Sequence, residues 1–285
     1  MDSKVGIILE GGAMRSVFSA GVLDFLLERN IRIPNILAVS AGAYAGMNYV
    51  SGQVGRIKKA VIEPLREYKY MGIGTFLKKG TFFDMDYLFD EIPKKKAPFD
   101  FESFRKYNGK FLTSTVNLET AETVYYDHFD DCKSFFDICK GANSLPIIAR
   151  IARIAGRPML DGGMADAIPV DKALEEGWQK IIVILTRDSS YRKKEGSTLY
   201  TRLIELIYHK YPKFVKLVNG RGRRYNASLD KILELEREGR AFVIRPTKIT
   251  VGNNESNVDK LLSYYQHGYD TISEKYEKLM KFLKE

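Results

Sequence analysis

The sequence has only two cysteines in 285 residues, Cys132 and Cys139. Their spacing fits neither a zinc knuckle nor a redox pair, and two cysteines are too few for a disulfide scaffold, so we expect reduced thiols. The sequence also lacks any apolar run approaching the roughly 20 residues that span a bilayer. Its first residues enter a strand-like segment without a basic leader or an apolar signal. These absences predict a cytoplasmic protein.

Histidine is equally scarce, with three residues in the chain. His128 lies in the polar run 127–131, His209 in a basic helical segment rich in tyrosine, and His267 inside the last helix. None follows a core strand, where open α/β sheets build their sites, so a Ser-His-Asp triad is disfavoured. No acidic cluster has the spacing of a calcium loop, and we expect neither a metal nor another cofactor.

Basic residues outnumber acidic ones, 45 to 36, which gives a formal net charge of +9. They cluster in three short runs, at 94–96, 192–194 and 221–224. Such runs are usually solvated loops. A second interpretation is attraction to an anionic surface, either phospholipid or nucleic acid.

Short apolar strands alternate with amphipathic helices along the chain, which predicts a mainly parallel sheet covered by helices on both faces. The expected strands are Val5–Leu9, 36–39, 111–117, 122–126, 180–185 and 241–245, the third and fourth of them paired with each other. The expected helices are 16–30, Ala41–Val50, 170–176, 199–217, 228–238 and 256–283. We expect an α/β core at 1–190, and a basic, mainly helical region at 191–285 that packs on the core and contributes the last strand.

A glycine-rich loop, Glu10-Gly11-Gly12-Ala13-Met14-Arg15-Ser16, connects the first strand to the first helix. Two consecutive glycines allow backbone N–H groups to turn toward one point, and the following helix start adds further unpaired N–H groups. Such a loop suits a phosphate or the oxyanion of an acyl-transfer intermediate. Glycines at this kind of turn are also common for steric reasons alone. The G-x-G-x-x-G spacing of dinucleotide-binding loops is absent.

Ser40 follows the second strand, within Ala38-Val39-Ser40-Ala41-Gly42. A nucleophile on a sharp strand-to-helix turn needs small neighbours two residues before and after it, and no other serine in the chain has them after a strand. Ser40 is also a favourable helix N-cap, and the two roles are compatible. Asp161 is followed by Gly162 and Gly163, and an Asp-Gly pair by itself is more often just a turn. With no histidine available, its carboxylate can take the Ser40 proton directly, which favours a Ser–Asp dyad.

In chain order, 11–15, 39–42 and 161–163 resemble the motifs of the bacterial patatin-like phospholipases, which are a G-G-G-x-[KR]-G loop, a G-x-S-x-G elbow and a D-G-[GA] loop. Residues 142–146, Ala-Asn-Ser-Leu-Pro, also resemble a segment that this family carries before its aspartate loop, and the resemblance spans residues 5–187.

The resemblance implies a three-layer α/β/α patatin-like fold and a catalytic dyad without histidine. It implies that Ser40 is the nucleophile and that Asp161 is the base. Gly11, Gly12 and Ala13 would supply oxyanion amides, and the binding loop would include Met14 and the basic Arg15. Ala13, Ser16 and Ala38 stand where the family has glycine.

The expected function is that of a serine acyl hydrolase, a phospholipase A, lysophospholipase or esterase acting on lipid esters. An alternative is a non-catalytic lipid- or acyl-binding protein on the same fold. A nucleic-acid-binding module using 221–224 is a further alternative, but it lacks a recognised motif, and we expect no nucleic-acid partner. The apolar segment 82–89, beside the lysines at 94–96, could form a membrane-facing cap with transient contact to an anionic surface, or simply belong to the core.

Overall fold

An eight-stranded sheet forms the centre of the computed structural model, which describes residues 4–284. The strands are β1 (Val5–Leu9), β2 (Asn35–Ala38), β3 (Lys110–Asn117), β4 (Thr123–Tyr126), β5 (Ala152–Ile154), β6 (Arg157–Asp161), β7 (Lys180–Ile184) and β8 (Ala241–Ile244). Their order is β5-β6-β3-β2-β1-β7-β8, with β4 also paired to β3. The strands from β3 to β8 along this order run parallel, whereas β4, β5 and β6 join by antiparallel pairs.

Helices cover both faces of the sheet. They are α1 (Val17–Glu28), α2 (Ala41–Val50), α3 (Ile73–Lys79), α4 (Phe101–Arg105), α5 (Cys132–Ala142), α6 (Val170–Glu175), α7 (Thr198–Ile207), α8 (Pro212–Asn219), α9 (Arg221–Arg237), α10 (Val258–Glu274) and α11 (Tyr276–Lys284). Short 3₁₀ segments lie at Ala13–Ser16, Glu63–Arg66 and Gly162–Met164, and π-helical segments at Lys58–Ile62 and Tyr87–Lys96.

The central strands alternate between two apolar cores because successive side chains point to opposite faces. On β1, Ile7 and Leu9 pack with helices α1, α2, α5 and α10. Ile8, between them, packs with α6 and α9. A smaller core joins β3 and β6 to α7 and α8. The result is the three-layer α/β/α arrangement that the sequence predicts.

Several element boundaries differ from the prediction. The helix expected at 199–217 is divided into α7 and α8, because Pro212 has no backbone N–H and Tyr211 before it leaves the helical region. The helix expected at 256–283 is interrupted at Lys275, between α10 and α11. Helix α9 begins at Arg221, seven residues before the predicted start at 228. The β5–β6 hairpin is not among the predicted strands.

The C-terminal part of the chain is built into the same sheet and core as the rest. Strand β8 pairs with β7 in parallel, and α10 packs along α1. The two helices approach most closely at Gly21 and Gly268: a Cβ at Gly268 would lie 2.0 Å from the carbonyl oxygen of Phe18. The ends of the two expected regions, residues 1–3 and 285, lie outside the described residues.

We expect Gly268→Ala to lower the free energy of unfolding by about 2–3 kcal/mol, because the added methyl must push α10 away from α1. The measurement is equilibrium unfolding in urea, followed by circular dichroism. Gly252→Ala is the control, since a Cβ at Gly252 meets no atom within 4 Å. An unchanged unfolding midpoint for Gly268→Ala would contradict close α1–α10 packing.

Candidate active site

Ser40 lies in the two-residue turn that joins β2 to α2. Its backbone has φ 55° and ψ −133°, a positive φ that is strained for a residue with a side chain. Hydrogen bonds hold the turn on both sides: Val39 N donates to Leu9 O at 3.1 Å, and Gly42 N donates to Val39 O at 2.9 Å. The turn leaves Ser40 partly exposed at the carboxyl end of the parallel strands.

Strand pairing brings Asp161 to the level of Ser40. Ala38 on β2 lies opposite Thr113 on β3, and two residues further along β3, Thr115 lies opposite Asp161 on β6. Because β6 is antiparallel to β3, its last residue, rather than its first, reaches this end of the sheet. Asp161 N also donates to Ser144 O at 2.9 Å, so the segment after α5 holds the aspartate backbone.

The Asp161 carboxyl group is buried and only half satisfied. Its Oδ1 accepts a hydrogen bond from Gly163 N at 2.8 Å, while Oδ2 has no hydrogen-bond partner of regular geometry among residues 4–284. Burial raises the pKa of Asp161 to about 6, against the lowering effects of the Ser40 hydroxyl, the Gly163 amide and Arg221. The group is therefore mainly a carboxylate at neutral pH, and more basic than an exposed aspartate.

The glycine loop packs directly against the serine. A Cβ at Gly11 would lie 2.6 Å from Ser40 Cβ, so only glycine fits at this position. The amides of Gly11, Gly12 and Ala13 donate to no backbone carbonyl in the described part of the chain, and Ala13 adopts a φ of 49°. Its left-handed backbone shows that alanine is accommodated where the related motif has glycine.

A fourth free amide belongs to Ala41, the residue after Ser40. It is the first residue of α2, and within residues 4–284 it has no backbone acceptor. An amide at this place is the usual partner of a loop amide in binding an oxyanion. The predicted oxyanion donors, Gly11, Gly12 and Ala13, do not include this amide, although the position after a candidate nucleophile is a sufficient signal. The amide of Met14, in contrast, donates to Asn253 O at 3.3 Å.

Ser40 lies between two cavities of different character. The first, of about 80 Å³, is apolar, and its wall includes Met14, Tyr44, Tyr70, Phe83 and Leu88. The second, of about 150 Å³, is polar. Ser40, Ala13 and Leu145 line both. An ester carbonyl held at Ser40 would therefore have an apolar environment on one side and a polar environment on the other.

The aromatic segment 82–89 belongs to the core and to the wall of the apolar cavity. Phe89 is buried, Leu88 is largely buried, and Phe83 and Met85 are partly buried against the main core. The segment does not form an exposed cap, because its side chains point inward between α2, α5 and the sheet. Of the adjacent lysines, Lys96 pairs with Glu67 at 2.6 Å.

Arg15 and the C-terminal region line the polar cavity. Arg15 is only 7% exposed, and its Nε has no hydrogen-bond partner among the described residues. Arg221 Nε donates to Gly163 O at 2.8 Å, and Tyr225 Oη donates to Glu10 Oε1 at 2.7 Å. Residues 221–224 have the sequence of a charge run, and no local signal indicates that α9 reaches the site.

The three histidines lie away from Ser40, and none lines either cavity. His128 is exposed beside Asp130, His209 is exposed at the end of α7, and His267 packs against Phe18 and Tyr264. In the part of the chain that is described, no group of three or more potential ligands could hold a metal ion. Nor does any helix there have the length and apolar character needed to cross a membrane. Both cysteines are free thiols.

Comparison with known proteins places this geometry in a family. The family model "Patatin-like phospholipase" matches residues 7–174, and a second, "Domain of unknown function (DUF6363)", matches residues 211–284. The uncharacterized protein YjjU of Escherichia coli K12 is 24% identical over 221 residues, which cover 72% of this chain and 61% of that protein. The match thus spans less than two thirds of YjjU. The crystal structure of VipD from Legionella pneumophila is similar, with 13% identity and a TM-score of 0.48, over 97% of this chain and 67% of that one.

The first match covers more than half of the sequence, and the chain belongs to the patatin-like phospholipase family. The predicted family resemblance and fold class are thereby confirmed.

Proposed function

We propose that the protein is a serine hydrolase of lipid acyl esters, with Ser40 as nucleophile and Asp161 as base. The observation that carries this proposal is the arrangement around Ser40: a strained turn presents its hydroxyl between an apolar cavity and a buried carboxylate with a free oxygen. No histidine lines either cavity, so the carboxylate is the base available.

The reaction proceeds in two steps. Asp161 Oδ2 takes the proton of Ser40 Oγ, which attacks the ester carbonyl carbon and forms a tetrahedral oxyanion. The free amides of Gly11, Gly12, Ala13 and Ala41 are the candidate donors to that oxyanion. When the C–O bond to the alcohol breaks, Asp161 returns the proton to the leaving alkoxide. A water molecule, deprotonated by the same carboxylate, then attacks the acyl-serine, releases the acid and restores Ser40.

A fluorophosphonate probe tests the proposed nucleophile, because it reacts with activated serines. We expect one adduct on the wild-type protein, located at Ser40 by mass spectrometry, together with hydrolysis of a short-chain nitrophenyl ester. Ser273→Ala is the matched control, since Ser273 is exposed on α10, and it should label like the wild type. Absence of any adduct and of any turnover would favour an acyl-binding protein instead.

The same proposal places the protein at a phospholipid surface, through apolar residues exposed on α3 and α7. Ile73 and Leu77 on α3 are 75% and 79% exposed, and Leu199 and Leu206 on α7 are 69% and 71% exposed. Segment 147–151 contacts both helices: Ile147 N donates to Oη of Tyr208, the residue after α7, at 3.0 Å, and Arg150 donates to Lys79 O at 2.7 Å. It begins two residues after Leu145, which lines both cavities.

Basic residues accompany these apolar positions, at Lys78, Lys79, Arg150, Arg202 and Lys210. Apolar side chains ringed by cations suit the surface of an anionic bilayer, where the former enter the headgroup region and the latter contact lipid phosphates. Docking by this surface would bring the mouth of the apolar cavity close to the lipid esters.

We expect the double variant Leu77→Glu, Leu206→Glu to lower the partition coefficient onto anionic vesicles by at least about tenfold, because two apolar anchors become anions. Co-sedimentation with vesicles of mixed phosphatidylcholine and phosphatidylglycerol measures this. Val54→Glu is the control: Val54 is exposed but lies in a different loop, after α2. Equal binding by the double variant and the control would contradict the assignment of this surface.

A further inference from the structure

The polar cavity beside Ser40 is lined by four cationic side chains: Arg15, Arg187, Lys193 and Arg221. None of them forms a salt bridge with a carboxylate within residues 4–284. Within the described part of the chain, only two carboxylates line the cavity, those of Asp161 and Glu10. The cavity wall therefore carries more positive than negative charge, and this excess is not neutralised by the protein.

The Glu10 carboxylate accepts three hydrogen bonds from neighbouring groups of the cavity wall. Its Oε2 accepts from Thr186 N at 2.6 Å and from Thr186 Oγ1 at 3.1 Å, while Oε1 accepts from Tyr225 Oη at 2.7 Å. Glu10 is buried, and its contacts fix the end of β1 to the end of β7. Its role is thus to hold the cavity wall together.

Aromatic rings and a backbone carbonyl position the cations without cancelling their charge. The Arg187 guanidinium lies 4.3 Å from the centre of the Tyr191 ring, and Lys193 Nζ lies 5.5 Å from that of Tyr225. Arg221 is held by the Gly163 carbonyl. Burial, together with Arg221, Arg187 and Arg15, lowers the pKa of Lys193 to about 8, despite the opposing effect of Glu10. Arg15 is buried and the other three cations are partly buried, and like charges gathered in this way are unfavourable unless an anion joins them.

Arg15, which also lines the polar cavity, likewise indicates a site for an anion. It is more than nine-tenths buried, and its Nε donates to no acceptor among the described residues. A buried donor left unsatisfied is costly, and an arginine at the wall of a cavity is typical of sites that bind phosphate or carboxylate.

We propose that this cavity binds a terminal phosphate on the alcohol part of the substrate, so that the preferred ester is an acylated glycerol phosphate. This inference rests on the proposed function, since the ester must straddle Ser40 with its acyl chain in the apolar cavity. A phosphomonoester carries nearly two negative charges at neutral pH, which matches the excess of cations in the wall.

Binding of non-hydrolysable ethers tests the phosphate site without any turnover. An alkyl-ether glycerol phosphate and the alkyl-ether glycerol of the same chain length, both below their micelle concentrations, are titrated calorimetrically. We expect the phosphate compound to bind wild type at least about tenfold more tightly, and Arg187→Gln, Lys193→Gln to abolish that preference. Lys194→Gln, an exposed neighbour, should retain it. Equal binding of the two ethers by the wild type, or an unchanged preference in the double variant, would overturn the proposal.

Inorganic phosphate distinguishes a lipid head group from free phosphate. Displacement of the phosphate ether by millimolar inorganic phosphate supports one shared site. Binding of inorganic phosphate that leaves the ether in place would assign the cavity to free phosphate and overturn the head-group assignment.

Turnover separates this inference from the proposed function. We expect Arg187→Gln, Lys193→Gln to lower kcat/KM for an acylglycerol phosphate at least about tenfold more than kcat/KM for a nitrophenyl ester, which lacks the phosphate. An equal loss on both substrates would contradict a phosphate site. If the wild type hydrolyses neither ester and forms no Ser40 adduct, the proposed function fails, and the ether titration still decides whether the cavity binds phosphate.

Discussion

Ser40→Ala should reduce ester turnover by at least about 10⁴-fold, because the substitution removes the oxygen that we propose forms the acyl-enzyme. Turnover of a nitrophenyl ester and of a lipid ester, each measured over the same pH range, would give the ratio. The fold should be retained, since alanine replaces a partly exposed hydroxyl in a turn that is held by backbone hydrogen bonds. Retention of wild-type turnover on any cleaved substrate would exclude Ser40 as the nucleophile.

Ser40→Gly extends this experiment to the backbone. Glycine adopts a positive φ without strain, so we expect this variant to be equally inactive but about 1 kcal/mol more stable than the wild type. Denaturant unfolding of the two variants side by side measures the difference. A gain in stability with a loss of activity is the signature of a residue that is held in a strained conformation for catalysis.

Asp161→Asn should lower turnover by about 10³-fold or more, because an amide cannot accept the serine proton. In the proposed mechanism, activity requires the unprotonated Asp161 carboxylate, whose pKa is raised to about 6. The rate should therefore be nearly constant above pH 7 and fall about tenfold per pH unit well below pH 6. The measurement is the pH dependence of kcat/KM on a nitrophenyl ester.

Asp24→Asn is the matched control for this profile. Burial also raises the pKa of Asp24 to about 6, but its carboxylate accepts from Tyr265 and Gly55, between α1 and α10, and lines neither cavity. Removing it should leave the acid limb unchanged. If the acid limb of the pH profile disappeared in Asp24→Asn, the limb would report the titration of Asp24 and not that of Asp161.

Unfolding through Asp161 cannot account for such an acid limb. Its folded pKa, about 6, exceeds its ordinary value of 3.8, so the folded protein binds more protons than the unfolded chain between these values. The contribution of this group to stability is thus fully present at low pH and is lost as the pH rises through about 6. A rate that falls as the pH is lowered therefore cannot reflect a loss of this stability contribution, and it reports on the protonation of Asp161 in catalysis.

The elements nearest to Ser40 could be predicted from the sequence because their signals are local. Strand β1 and helix α2 have the predicted bounds, and β2 differs by a single residue at each end. An apolar run, a small-residue turn and a helix start are all encoded within a few neighbouring positions. The family motifs are equally local, which is why the fold class followed from them.

Strand β6 is not among the predicted strands. Its antiparallel pairing with β3 brings Asp161 to the end of the sheet where Ser40 lies. Likewise, residues 221–224 have the composition of a solvated loop, yet Arg221 contacts Gly163 across 58 positions of the chain. The sequence by itself determined the turns, the buried strands and the candidate reactive groups, because these depend on neighbouring residues. Tertiary structure alone decided which cations line the polar cavity, since that depends on how distant segments pack together.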